Sequence, residues 1–465
     1  MKDLTQGKES RLILMFALPM LIGNVFQQFY NMVDSWVVGQ FVGTDALAAV
    51  GASFPLVFLM VALVMGLAMG SNVLIAQYYG AKNMAKVKAA IDTTYIVLFS
   101  SSIVLTIVGL LSAEFILRLL RVPESILPLS LEYLRIIYAG LILMFGYNGV
   151  SAILRGLGDS KTPLVMLMVS TILNVVLDLV FVRVFHWGVP GVAWATVISQ
   201  GVSFFGSVIF LNRTHEVLRT NFLKLRFDKD IFLSSLKIGL PAGIQQTLVS
   251  LGIMFMSAVV NGFGTTVIAG FVAAGRIDSF IAMPAMNISM ALSTFTGQNM
   301  GAQKPDRVRN GYKAALQIGL AITVVLVLVL LFFGRALVGI FTTDQAVIDV
   351  GTQYLKVIGP FYFIFNIMFI TNGLIRGAGE AIVPMISTLL AMWIIRIPSA
   401  VLFSGLWGVV GIWWAMPTGW VVGMFIAVGY YKSGRWTTKA VTGRGIAMGK
   451  PGEAGTMADE AASIT

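Results

Sequence analysis

Long runs of apolar residues dominate this sequence and leave little freedom in what the chain can fold into. A helix needs about 20 mostly apolar residues to cross the hydrocarbon core of a bilayer, and twelve such runs follow one another up to about residue 432. Short segments of alternating polarity, which would indicate a membrane β-barrel, are not the pattern here. The sequence therefore predicts an all-α integral membrane protein with twelve transmembrane helices.

The scarcity of charged residues supports a surface that faces lipid. Charged residues make up 11% and apolar residues 57% of the 465 positions, whereas soluble proteins carry about 25% charged residues. The chain has no cysteine, and His186 and His215 are its two histidines, which excludes disulfides and a cysteine- or histidine-rich metal site. The first apolar run, at about 12–38, is too long for a cleaved signal peptide, so we expect it to remain as a helix.

The positions of the basic residues predict the orientation in the membrane. The formal net charge is +11, and most of the 32 Lys and Arg residues lie in alternate connections between the apolar runs. Because such residues are retained on the cytoplasmic side, both termini are expected in the cytoplasm. The basic excess is thus a topology signal, and no nucleic-acid partner is expected. We predict a multi-pass protein of the plasma (inner) membrane, in contact with the lipid bilayer and monomeric.

Short motifs that recur in the same order at a spacing of about 221 residues predict two similar halves. The pairs are Gln77-x-x-Gly80-Ala81 with Gln298-x-x-Gly301-Ala302, Tyr133-Leu134-Arg135 with Tyr354-Leu355-Lys356, Arg155-Gly156-x-Gly158-Asp159 with Arg376-Gly377-x-Gly379-Glu380, and Leu18-Pro19 with Leu240-Pro241. Glycine-rich helix ends resemble one another in any case, but so many matches in one order are hard to obtain by chance.

Each half holds six spans, so both halves enter the membrane from the same side and form two six-helix bundles related by a parallel repeat. We expect an N-terminal lobe at 1–211, a cytoplasmic linker at 212–235, a C-terminal lobe at 236–432 and a flexible cytoplasmic tail at 433–465.

Polar residues inside the spans of the first half indicate a candidate cation site, because ionisable side chains within the bilayer are energetically costly and usually have a function. Residues that share a helix face by spacing are Gln27, Tyr30, Asn31 and Asp34 in the first span and Thr171, Asn174 and Asp178 in the fifth, with Asn148 in the fourth and Thr196 in the sixth. Two carboxyl groups among neutral oxygens suit Na⁺, a hard cation. They also suit H⁺, because a low-dielectric pocket favours the protonated carboxyl group. For the uncharged side chains, hydrogen bonds that only hold helices together are the competing interpretation.

Gln27, Tyr30 and Asn31 are also candidates to line a substrate cavity. The second half does not repeat the acidic pattern, because Met256 and Ser399 stand where the repeat would place the two aspartates. Asp278 is the clear acid in its spans. It lies two residues after Arg276, so the two side chains do not face each other on one helix and each needs partners elsewhere. A structural charge network and a functional one both remain open, and Arg396 is a further buried cation without an assigned partner.

Taken together, the chain resembles the multidrug and toxic compound extrusion (MATE) family of prokaryotic transporters over about residues 10–432. The resemblance is carried by Leu18-Pro19, Asn31-x-x-Asp34, both Gln-x-x-Gly-Ala motifs and Arg155-Gly156-x-Gly158-Asp159. It implies two six-helix lobes in a V shape, and export of amphipathic, often cationic compounds in exchange for inward H⁺ or Na⁺.

The resemblance also implies roles for individual residues. Asp34, Asn174 and Asp178 match the first-lobe cation site of the family, with Asn148 and Thr196 as further matches. Pro19 removes a backbone hydrogen bond and predicts a kink, and it matches a helix-one proline that bends in some members. One branch of the family has further acids in spans seven and ten. None is found at 247–251 or 361–375, so coupling through the first lobe is expected.

The leading hypothesis is a cation-coupled antiporter that exports amphipathic, cationic drugs or metabolites by alternating access. The alternative is a flippase for lipid-linked saccharides or other lipid-like substrates, against which the few intramembrane cations argue mildly. An enzyme is not expected, because the spans hold no nucleophile–base pair or metal constellation. No cofactor is expected beyond the coupling ion.

Overall fold

The apolar runs of the sequence form helices, because backbone groups in lipid must find their hydrogen-bond partners within the chain. The structure, a computed structural model, describes residues 2–214 and 218–441, and the regular structure in these ranges is helical. His215 and residues 442–465 of the predicted tail lie outside the described residues. The first lobe comprises α1 (Glu9–Val37), α2 (Thr44–Gly80), α3 (Met84–Leu119), α4 (Leu127–Ala139), α5 (Leu141–Gly156), α6 (Lys161–Leu179) and α7 (Gly188–Thr214). The second lobe comprises α8 (Lys229–Asn261), α9 (Thr265–Gly301), α10 (Pro305–Gly339), α11 (Gln345–Ile358), α12 (Tyr362–Gly377), α13 (Ile382–Leu389), α14 (Ile397–Trp407) and α15 (Val409–Lys432).

Twelve spans result when the bent helix pair of the first lobe is counted as one. Eleven helical segments of the described ranges are long and apolar enough to cross a membrane, and α4 and α5 form a further span with a bend of 50°. The bend falls at Gly140, where a Cβ atom would overlap the side chain of Val197 in α7. The predicted all-α fold with twelve membrane helices is therefore confirmed.

The two lobes repeat the same succession of helices. Helices α2 and α9 each have 37 residues, and α5 and α12 each have 16. In both lobes three long helices are followed by two short helices and then by two further spans. The internal repeat inferred from short motifs thus extends to whole helices.

In the described part of the chain, three spans contain a π-helical segment, in which each backbone N–H bonds to the carbonyl five residues earlier instead of four. Val38–Val42 follows α1, Val180–Val184 follows α6, and Leu390–Arg396 joins α13 to α14. Such segments are rare and often occur at functional sites. Two of the three directly follow the helices that carry the candidate aspartates.

Helix α1 packs against both lobes. Its first turns, with Leu12 and Phe16, lie in a core that contains Leu292 of α9, while Val37 at its far end packs among first-lobe residues. Pro19 lies between these two regions, where α1 passes from one lobe to the other. Helix α8 of the second lobe likewise crosses to the other lobe, since its early residues Ile231 and Ile238 pack in a first-lobe core.

The first and the last described residues, 2–8 and 433–441, lie at one end of the bundle, which we call the basic end. It contains residues 2–8, the turns at 81–83 and 302–304, and residues 433–441. The structure differs from the predicted flexible tail here, because Arg435–Thr438 forms a 3₁₀ turn and Trp436 is only 1% exposed. Helix α8 begins at Lys229, within the stretch predicted as a linker.

Candidate cation and substrate site

The centre of the candidate site is a pair of carboxyl groups near the ends of α1 and α6. Asp34 and Asp178 lie within hydrogen-bonding reach of each other. Asp178 is fully buried and Asp34 is partly exposed. Two ionised carboxylates offer only acceptors and repel each other, so the pair is favourable when a proton or another cation lies between them.

Buried polar atoms without protein partners surround this pair. Apart from the contact between the two carboxyl groups themselves, neither oxygen of Asp178, nor Oδ1 of Asp34, nor either side-chain polar atom of Asn174 has a hydrogen-bond partner among the described residues. Asn174 lies one helical turn before Asp178 and is fully buried. Leaving such a group unsatisfied costs about 1–3 kcal/mol. A cation bound among these carboxylate and amide oxygens would satisfy several of them together.

The donor set fits a proton or a hard monovalent cation better than a transition metal. The described residues contain no group of three or more His, Cys, Asp or Glu side chains placed to hold a metal ion. Oxygen atoms are the donors that hard cations prefer.

Two tyrosines and a threonine close the site on the side of α4 and α7. The hydroxyl groups of Tyr30 and Thr196 are 3.1 Å apart and both side chains are buried. Tyr133 of α4 is also buried and lies close enough to both aspartates to interact with their charges. Sequence reasoning missed Tyr133 as a site residue. Its signal was the recurrence of the Tyr133 motif at Tyr354.

The remaining predicted residues are less closely involved. Asn148 donates a hydrogen bond to the backbone oxygen of Met144 in its own helix, at 2.9 Å. Gln27 donates to Asn31 along the predicted face of α1, at 3.4 Å, and Asn31 is exposed. The polar face of α1 is therefore present, and its contact with a substrate remains a prediction.

The second lobe holds a different arrangement. Asp278 accepts a hydrogen bond from the Tyr362 hydroxyl and lies close to Tyr354 and Arg396. Arg276 instead lies over the ring of Phe341, with its guanidinium carbon 5.8 Å from the ring centroid. Asp278 therefore already has protein partners.

Apolar packing replaces the first aspartate at its equivalent position in the second lobe. Met256 is 1% exposed and belongs to the core of that lobe. The acid-pair geometry is therefore found in the first lobe and is not reproduced around Met256.

Comparisons with known proteins agree with the repeat and the fold. The family model described as MatE matches the chain twice, at 19–180 and 241–402, a displacement of 222 residues. The Bacillus subtilis (strain 168) protein named "Probable multidrug resistance protein YpnP" is 33% identical, over 93% of this chain and 97% of that protein. "Probable multidrug resistance protein YoeA" of the same strain is 31% identical, over 92% and 94%. A crystal structure of MATE in the bent conformation superposes with a TM-score of 0.86 at 25% identity, covering 93% of this chain and 96% of that one.

Proposed function

This chain belongs to the MATE family of membrane transporters, and from that premise we propose that it exports amphipathic, cationic small molecules in exchange for inward H⁺ or Na⁺. The observation that carries the proposal is the contact between Asp34 and Asp178, two acids at membrane depth whose oxygens largely lack protein donors. An uncompensated acid pair of this kind is costly unless it binds a cation.

Coupling follows from the position of the pair between two helices. A cation bound by Asp34 and Asp178 removes the repulsion between their carboxylates and favours close packing of α1 on α6. Release of the cation restores the repulsion and favours separation. Because α1 also packs on the second lobe before Pro19, a movement of its far end is transmitted to the contact between the lobes.

The substrate class follows from the charge of the same region. Asp34 is partly exposed and Asn31 is exposed on the same helix, so an organic cation can approach the carboxylates and compete with the coupling ion. Both relatives above are named as multidrug resistance proteins, which supports amphipathic drugs or metabolites as substrates. Neither name supports the alternative of a flippase for lipid-linked saccharides.

The basic end is proposed to face the cytoplasm of a plasma (inner) membrane, with the protein acting as a monomer. Lys and Arg are concentrated at this end, in the turns at 81–83 and 302–304 and in the terminal segments. Retention of such residues on the cytoplasmic side is the reason for this orientation.

Efflux of a fluorescent organic cation from proteoliposomes tests the proposal, with a pH gradient and a Na⁺ gradient imposed separately. We expect one gradient to drive export by the wild-type protein, which identifies the ion. Asp34→Asn and Asp178→Asn should insert normally and lose gradient-driven export. Asp45→Asn, at an exposed acid in the first turn of α2, should behave as the wild type. Full gradient-driven export by either site variant would remove that carboxylate from the mechanism.

A further inference from the structure

The cation site does not account for the two Gln-x-x-Gly-Ala motifs or the two Arg-Gly-x-Gly-acid motifs of the repeat. In the structure these motifs meet at the basic end, between the lobes. Gln77 of α2 and Gln298 of α9 are both fully buried there. They occupy equivalent positions of the two lobes.

Each glutamine makes one bond to the opposite lobe and one to a terminal segment. Gln77 Nε2 donates to the backbone oxygen of Gly377 at the end of α12, at 3.1 Å, and Gln298 Nε2 donates to that of Gly156 at the end of α5, at 3.0 Å. The side-chain oxygens accept from the terminal segments. The backbone N–H of Val441 donates to Gln77 at 2.7 Å, and that of Leu4 donates to Gln298 at 2.9 Å.

The glycines of the motifs let the two long helices touch at this level. A Cβ atom at Gly80 would overlap the backbone oxygen of Gln298, and one at Gly301 would overlap that of Gln77. The contact between α2 and α9 is therefore a backbone contact, which leaves no room for a passage.

The second motif positions the terminal segments on this contact. Gly158 and Gly379 both have positive φ angles, of 83° and 103°, which favour glycine. A Cβ atom at Gly158 would overlap the backbone oxygen of Lys2, and one at Gly379 would lie 2.7 Å from that of Lys439. The turns after α5 and α12 thus each hold one terminal segment.

The N-terminal segment is fixed to the second lobe by further bonds. Asn299 donates to the backbone oxygen of Leu4, Lys304 to that of Thr5, and Arg307 to that of Gly7. Leu4 is 1% exposed. The segment before α1 therefore spans the boundary between the lobes.

We propose that Gln77 and Gln298, together with the terminal segments that they bind, form the closure of the transporter at its basic end and set its equilibrium with a conformation open at this end. The proposal rests on the alternating access proposed above, since access from this end requires the two bonds between the lobes, from Gln77 to Gly377 and from Gln298 to Gly156, to break. Neutral amide bonds suit such a closure, because each is weak in net terms and reforms without a change of charge.

Accessibility of an engineered cysteine tests the closure without depending on transport. Thr294 lies one turn before Gln298, is 2% exposed, and donates to Asn72 of the first lobe at 3.3 Å. Because the chain has no cysteine of its own, Thr294→Cys gives a single reactive thiol. A membrane-impermeant maleimide is applied to vesicles from the side of the basic end.

We expect Gln77→Ala and Gln298→Ala each to speed labelling of this thiol about tenfold, since each loses a neutral hydrogen bond between the lobes. Gln6→Ala, at an exposed glutamine of the N-terminal segment, is the matched control and should label as the background does. Gly301→Ala keeps both glutamines but prevents the backbone contact, and it should raise labelling in the same direction.

A converse experiment keeps the proposal falsifiable if these variants do not fold. Oxidation of the pair Asn72→Cys and Thr294→Cys should link the lobes and stop export, and reduction should restore it. Wild-type labelling rates in both glutamine variants, or normal export by the linked protein, would overturn the proposed closure. If the wild type exports nothing under either gradient, the transport proposal fails, and the labelling rates still decide whether the two glutamines close this end.

Discussion

The carboxyl groups of Asp34 and Asp178 face each other between α1 and α6, although 143 positions separate them in the sequence. In both helices a π-helical segment begins within four residues after the aspartate, at Val38 after Asp34 and at Val180 after Asp178. The two side chains therefore form one site, and the behaviour of one depends on the charge of the other.

A double variant should show this dependence. If both carboxylates hold one cation, Asp34→Asn and Asp178→Asn each remove the same coupling event, so the double variant should export no more slowly than the worse single one. Initial rates of gradient-driven efflux from proteoliposomes measure this. Rates that multiply across the two variants would indicate two independent sites.

Asn174 allows function to be separated from stability. Its buried amide has no partner among the described residues, so Asn174→Leu should raise the free energy of unfolding by about 1–2 kcal/mol while it lowers export. Asn299→Leu is the matched control, because Asn299 is equally buried but bonded to Leu4, Phe295 and Arg307. Thermal unfolding in detergent should show the opposite sign for this control. A destabilised Asn174→Leu protein would mean that the amide has a structural role.

The acid pair could be predicted because it leaves two clear marks in the sequence. A charged residue in an apolar run is rare, and its spacing from Asn and Thr residues fixes the helix face. Tyr133 carries no charge and a tyrosine in an apolar helix is ordinary, so the recurrence of its motif at Tyr354 did not single it out as a site residue. Its proximity to the acids depends on how α4 is packed relative to α1 and α6, and this packing cannot be inferred from a single sequence.

The fold was predictable at the level of spans and of the repeat, and less so where contacts between the lobes decide the conformation. The first residues of the predicted tail are polar, yet Trp436 is buried against the bundle. Likewise, the recurrence of Gln77 and Gln298 was visible, but its reason is a pair of cross-lobe bonds.

Asp278 should prove structural rather than coupling. It accepts a bond from Tyr362 and lies near Arg396, so Asp278→Asn removes a charged acceptor and should lower the free energy of unfolding by about 1–3 kcal/mol. The ion dependence of export should remain that of the wild type. Loss of gradient-driven export in a variant that is still folded would instead assign Asp278 a place in the coupling.

Asp228 should give the stability of the basic end a defined pH dependence. Its carboxylate caps α8, accepting from the backbone N–H groups of Asp230 and Ile231 at 3.0 Å, and it lies 3.6 Å from the Lys86 ammonium group. The bond from Ile231 and the charge of Lys86 lower the pKa of Asp228 below its ordinary value of 3.8.

Because the folded state has the lower pKa, the stabilisation by Asp228 is present at pH values above 3.8 and is lost as the pH falls through the lowered value. Asp228→Ala should therefore cost about 1 kcal/mol at neutral pH, as expected for a lost N-cap, and its difference from the wild type should shrink in acid below pH 3.8. Asp230→Ala, at an exposed acid in the first turn of the same helix, should cost only about 0.3–0.5 kcal/mol. Unfolding temperatures in detergent between neutral pH and pH 3 measure both, and a difference for Asp228→Ala that persists unchanged in acid would show that the ionised cap is not its source.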